Sequence, residues 1–136
     1  MTTQPVHQIL HPSEWKAAKG YANGVLAEGR MIFLGGQIGW TGDQVFEAKD
    51  LAGQTRQTLA NIVEILREGG GGPEHIVKMT WYVTSKAEYL ADLKGIGAAY
   101  RDIMGKHYPA MAMVQVVALM EDEAKVEIEA TAVLPR

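Results

Sequence analysis

Cysteine is absent from this chain of 136 residues. Its absence removes disulfides, thiolate catalysis and cysteine-based zinc or iron–sulfur centres together. Long apolar runs are lacking too: no window approaches the roughly 18 residues of a membrane span, and the opening MTTQPVHQIL has no basic segment leading into an apolar core. A soluble, unexported, cytoplasmic protein with no membrane partner is the expectation. Basic clusters are missing as well, and the formal net charge is −3. Because nucleic-acid affinity rests on clustered Lys and Arg facing phosphates, no nucleic-acid partner is expected.

Sequence signatures of well-known sites are equally scarce. The glycine run at 69–72 is followed by Pro73, not by Gly-Lys-Ser/Thr, and it ends a helical pattern where a phosphate loop would open one. There is no GxSxG elbow, and Gly95-Ile96-Gly97 lies inside a helical pattern without the third glycine of a dinucleotide fingerprint. The histidines His7, His11, His75 and His107 share no metal-like spacing, so no metal site is expected and they read as surface or loop residues.

What is present fits one domain spanning residues 1–136, with 47% hydrophobic and 21% charged residues. A short strand is expected at 7–10, ended by His11-Pro12, and Ser13 can cap a brief helical turn through Trp15 and Ala18. Runs at 23–26 and 31–38 bracket Ala27-Glu28-Gly29-Arg30 as a hairpin. Within the second run, Met31-Ile32-Phe33-Leu34 is apolar without alternation, the mark of a strand buried on both faces. Gly35-Gly36 then reads either as a bulge or as a place where a ligand approaches the backbone. Thr41-Gly42-Asp43 is a loop tip. From 50 to about 68, Leu51, Thr55, Leu59, Ile62 and Leu66 recur at helical spacing, with Asp50 as cap and the glycine run as stop. A strand follows at 76–84, with Val77, Met79, Trp81 and Val83 on one face and Lys78, Thr80 and Tyr82 on the other. A second amphipathic helix is expected over about 86–104, weakened by Gly95 and Gly97 and closed by Gly105.

The last third, 108–134, reads as two strands joined by a short acidic turn, a terminal hairpin. Alternation sets Val126, Ile128, Ala130 and Ala132 on an apolar face and Glu127, Glu129 and Thr131 on the other. Met111, Met113 and Gln115 are expected to join the glutamates on that mixed face. Two helices cover one face of a sheet and leave the second open, so the expected class is α+β, a mixed sheet with two long helices on one face. The open face then implies a homo-oligomer with ligand clefts where subunits join. Glu127, in an otherwise apolar strand, stands out. A carboxylate withdrawn from water there exchanges protons near neutrality, while the plainer reading is a solvated strand face.

Several segments together resemble the Rid proteins (reactive intermediate deaminases, the YjgF family), over about residues 20–133. They are Tyr21-Ala22-Asn23-Gly24-Val25, Gly36-Gln37-Ile38, the stretch Gln54-Thr55-Arg56-Gln57-Thr58-Leu59-Ala60-Asn61, Ile76-Val77-Lys78, Tyr108-Pro109-Ala110 and Val126-Glu127-Ile128-Glu129-Ala130. The resemblance implies a chorismate-mutase-like α+β fold, a homotrimer with an inner barrel of sheets, and clefts between subunits that take a small molecule. It implies hydrolysis of enamines and imines, such as 2-aminoacrylate, to keto acids and ammonia without a cofactor. By position, Tyr21 would line the cleft, Gly35 and Gly36 would bring backbone groups to the ligand, and Glu127 would orient or activate water.

The chain departs from that pattern on the strand that opens the last third. The active branch reads Pro-Ala-Arg where this chain has Pro109-Ala110-Met111, and that arginine grips the substrate carboxylate through charge-assisted hydrogen bonds. Met113 stands at the family's cysteine position and Gly97 at an asparagine position. Flexible apolar surface and empty space point to a larger or less charged enamine or imine than 2-aminoacrylate. Two other readings stand beside this one: a non-catalytic trimer binding a metabolite or partner, and an endoribonuclease, which the acidic charge opposes.

Overall fold

Asp50 starts the helix against which the sheet is built. Its Oδ2 accepts from the Gly53 N–H at 3.2 Å, capping α1 (Leu51–Glu68). The buried stripe Leu51, Thr55, Leu59, Ile62 and Leu66 is the one the periodicity predicts. Gly70, at φ +82°, ends the helix: its N–H donates to the Arg67 carbonyl and the Gly71 N–H donates to that of Leu66, the paired bonds of a Schellman cap.

The computed structural model describes residues 6–136. A two-stranded ribbon pairs β1 (Gln8–Leu10) with β2 (Gly24–Leu26). The main sheet has the order β3-β6-β4-β5, where β3 is Arg30–Ile38, β4 Ile76–Val83, β5 Ala110–Gln115 and β6 Val126–Leu134. It is mixed, because β4 and β5 run parallel while β6 is antiparallel to both β3 and β4. A 3₁₀ turn, Pro73–His75, leads into β4. Helix α1 packs on β3 and β6 and against α3 (Leu93–Met104), so both lie on one face. Leu59, Ile62 and Leu66 meet Met79, Trp81, Val126 and Ile128 in the core between these layers. No helix among the described residues is long and apolar enough to cross a membrane.

Four expectations need correction. The residues at 108–134 form no hairpin: β4 lies between β5 and β6. The ten-residue link is longer than the usual hairpin loop, and the helical crossover from β4 makes β5 its parallel neighbour. Likewise β2 pairs with β1, not with β3. The single helix over 86–104 is two, α2 (Lys86–Ala91) and α3, broken at Asp92, whose carboxylate accepts from the Gly95 N–H at 3.0 Å and caps α3. Gly95 permits this because a Cβ there would collide with that carboxylate. Finally, Met31 and Phe33 are not buried within the chain; Phe33 is 72% exposed, since the helices cover only the Leu34 side of β3.

Smaller differences follow the same logic. Around Ser13 there is a turn closed by the Trp15 N–H on the Pro12 carbonyl, with no helix. At the start of β4 the register slips between Ile76 and Lys78, so Ile76 takes the buried place expected of Val77.

Two side-chain amides of α1 fix where the sheet strands begin and end. Buried Gln54 donates to the carbonyls of Ala48 (3.3 Å) and Glu123 (2.9 Å) and accepts from the Lys125 N–H (2.8 Å). Asn61 donates to the carbonyls of Ile38 (3.2 Å) and Trp40 (2.7 Å). Gln54 thus sets the start of β6, one residue before Glu127, and Asn61 sets the end of β3 opposite it. Leaving buried partners unpaired costs about 1–3 kcal/mol each. Gln54→Leu is therefore expected to lower stability by roughly 2–4 kcal/mol in urea unfolding; a change under about 0.5 kcal/mol would show that the anchor is dispensable.

Candidate functional site

The sheet has two faces, and the sequence-predicted site residues divide between them. Trp81 pairs with Ile128 on one side and Met113 on the other, while Tyr82 pairs with Glu127 and Val114. Side chains opposite one another share a face. Met111 and Met113 therefore stand with Trp81 on the helix-covered face, and Glu127 stands with Tyr82 on the open face. The expectation that the methionines and Glu127 share one face is overturned; it assumed that β5 and β6 were a hairpin, whereas each takes its parity from β4.

On the open face, the register of β3 against β6 shifts between Leu34 and Gln37, so Gly35 and Gly36 together oppose Glu129. This is the bulge that the glycine pair allowed for. The Glu127 carboxylate lies against Gly36, where any Cβ would collide with it. Half-buried Glu127 has no hydrogen-bond or ion-pair partner among the described residues. Its neighbour Glu129 does: it accepts from the Tyr82 hydroxyl at 3.0 Å. That hydrogen bond, more than burial or the charges of Glu129 and Glu127, raises the ionisation of Tyr82 above its ordinary value. The face continues through Lys78, Thr80, Thr131 and exposed Phe33 and Met31.

On the other face, a cleft of about 200 Å³ opens between β5 and α3. Met111, Met113 and Gly97 line it together with Tyr89, Leu93 and Ile96. One wall is an aromatic stack: Tyr100 lies 6.3 Å from Trp81 and 5.2 Å from Tyr108 between ring centroids. The Tyr100 hydroxyl donates to the His107 carbonyl, and the Trp81 Nε1 is buried with no partner among the described residues. Arg101 and Lys19 line the cleft too. Sequence reasoning missed both, although Arg101 follows Gly97 by four residues and so stands over it on the helix.

Tyr21 lies elsewhere, in a cleft of about 440 Å³ with Ala22, His107, Tyr108 and Pro109. The Ala22 N–H donates to the Pro109 carbonyl at 2.9 Å, tying this segment to the start of β5. Tyr108 borders both clefts, so Tyr21 neighbours the methionine cleft without lining it. Among the described residues no group of three or more His, Asp or Glu side chains is placed to hold a metal ion.

With this geometry in view, the chain matches the family model described as Endoribonuclease L-PSP over residues 11–134. It is 33% identical over 132 residues to a 2-iminobutanoate/2-iminopropanoate deaminase of Bos taurus, covering 94% of this chain and 90% of that protein. To the protein of the same name from Salmonella typhimurium it is 34% identical over 108 residues, covering 77% and 80%. Among solved structures, a Rid-family protein of unknown function from Yersinia pestis superposes with a TM-score of 0.82 at 30% identity, covering 94% of this chain and 98% of that one.

Burial, and then the neighbouring Tyr108, push the ionisation of Tyr100 well above its ordinary value of 10.0. The folded chain holds this proton at a pH where the unfolded chain has released it. Its stabilisation is thus complete below about pH 10 and is lost as the pH rises further. Unfolding free energy measured in urea should fall above that pH, and Tyr100→Phe should flatten the fall. An unchanged slope in the variant would refute this origin.

Proposed function

The chain belongs to the Rid (Endoribonuclease L-PSP) family, and from that premise we propose that it is a hydrolytic deaminase of a reactive enamine or imine bulkier than 2-aminoacrylate. One observation carries the reading: Glu127 is a half-buried carboxylate without a partner among the described residues, seated in the room that the missing side chain of Gly36 leaves at a bulge. Such a group is free to act on water. In this reaction an enamine takes a proton at carbon and becomes the imine. Glu127 then accepts a proton from a bound water as its oxygen adds to the C=N carbon. That proton passes to nitrogen and gives the carbinolamine; its hydroxyl proton then moves to the amino group by way of the same carboxylate as the C–N bond breaks, leaving a ketone and ammonia. One imine and one water are consumed for one carbonyl compound and one ammonia.

Gly35 and Gly36 bring backbone groups to the substrate in this account, and Tyr21 borders it. Met111, Met113 and Gly97 accept its side chain, on flexible apolar surface larger than a two-carbon substituent needs. Since the Glu127 face and the methionine cleft lie on opposite sides of one sheet, a complete site takes Glu127 from one copy and the cleft from another. Phe33 and Met31, 72% and 55% exposed among the polar residues of the open face, support an assembly that covers this face, and a homotrimer is the form proposed. The family model carries the name of an endoribonuclease, but a net charge of −3 without a basic run gives this chain little to hold a phosphate backbone.

The test is ammonia release from a panel of imines generated in place by amino-acid oxidases. The protein should accelerate hydrolysis of branched or aromatic imines over the uncatalysed rate, and Glu127→Gln should lower kcat by about 10²–10⁴-fold, the usual contribution of a positioned acid–base group. Background rates across the panel, or full activity in Glu127→Gln, would leave a binding protein without turnover.

A further inference from the structure

The cleft between β5 and α3 contains an uncommitted positive charge. Arg101 and Lys19 both line it, and among the described residues no Asp or Glu does. The carboxylates on the nearby helices are engaged elsewhere. Asp102 bonds Arg56 at 2.8 Å, Asp92 caps α3 through Gly95, and Glu88 meets Lys125 at 2.9 Å. Neither Arg101 nor Lys19 has an ion-pair or side-chain hydrogen-bond partner among the described residues. Arg101 also leans across the helix: a Cβ built on Gly97 would lie 3.2 Å from its Nη1. Glycine at 97 leaves the guanidinium this position, and an alanine there would make it shift by a few tenths of an ångström.

Opposite the cations stands an apolar wall. Met111 and Met113 form its strand side, and the stack of Trp81, Tyr100 and Tyr108 its floor. The Tyr100 hydroxyl is already committed to the His107 carbonyl, whereas the Trp81 N–H has no acceptor among the described residues. A site with a forked cation at its rim, a second cation beside it and an aromatic and thioether interior recognises an anion attached to a hydrophobic body.

We propose that Arg101, admitted by Gly97, is the anchor for a carboxylate-bearing ligand with a large apolar or aromatic side chain in this cleft. Resting on the deaminase reading, this makes the substrate a bulky 2-imino or 2-enamino acid, not a neutral imine. The charge that β5 lacks at Met111 is supplied from α3, across the cleft. Because the anion then enters from the helix side, the side chain runs along Met111 and Met113.

Binding tests this without turnover, with benzoate and its neutral isostere benzamide as probes in isothermal titration at low salt and about pH 8. Benzoate should bind the wild-type protein more tightly than benzamide. Arg101→Met should weaken benzoate at least tenfold and leave benzamide unchanged, and Arg101→Lys should retain part of the benzoate affinity. Gly97→Ala separates anchoring from folding. It should raise the Tm, since alanine favours helix, yet weaken benzoate by crowding the guanidinium. Equal binding of the two probes by the wild type, no benzoate binding, or undiminished benzoate affinity in Arg101→Met would overturn the assignment. Loss of all imine turnover with the benzoate pattern intact would remove the deaminase reading alone. Turnover of bulky imino acids that ignores Arg101 would remove the anchor alone.

Discussion

Side chains alternate across a sheet, and in this chain Trp81 is the residue from which both neighbouring strands take their parity. It is 3% exposed, held beneath α3 in the core, and pairs with Ile128 on one side and Met113 on the other. Once Trp81 faces the helices, Met111 and Met113 must face them too, and Glu127 and Glu129 must face away. A slip of one residue in the β4–β6 pairing would turn the glutamates toward the core. The cost of burying unpaired carboxylates in the core makes the register close to obligatory. From that single constraint follow the aromatic cleft on one face and the free carboxylate on the other, the separation that the proposed shared site would bridge with a second copy.

The amides of α1 serve that register. Gln54 and Asn61 hold the start of β6 and the end of β3, so the carboxylate at 127 lies beside the bulge at Gly35-Gly36. The matched stretch 54–61 is therefore structural support for the site, although it supplies no residue to either cleft that we assign to the ligand. This division of labour is why Glu127 can remain without a partner in a sheet where most buried polar atoms are paired.

Much of this was legible in the residues, for identifiable reasons. Helix α1 announces itself through periodicity, an aspartate cap and a glycine stop, and strand β6 through strict alternation; both depend on local pattern alone. The placement of β5 was not legible in the same way. Neighbours in sequence are usually neighbours in a sheet, and that default made 108–134 a hairpin. Two signals pointed the other way: the connection at 116–125 is long for a hairpin, and a strand followed by helices and another strand commonly gives a parallel crossover. The break at Asp92 was readable as well, since aspartate three residues before a glycine in a helical pattern is a cap in waiting. Arg101 belongs to no motif; its place in the cleft, one helical turn beyond Gly97, is visible only once the fold is known.

The central claim is that the working site is shared between copies because parity separates its halves. Complementation tests it most directly: Glu127→Gln and Met113→Glu chains, each inactive alone, are unfolded together, refolded as a mixture and assayed for imine hydrolysis. If each site draws Glu127 from one chain and the cleft from another, random mixing restores about one quarter of the wild-type sites. Should the mixture stay as inactive as its components, although mixed oligomers are present, the halves belong to one chain and the account is wrong.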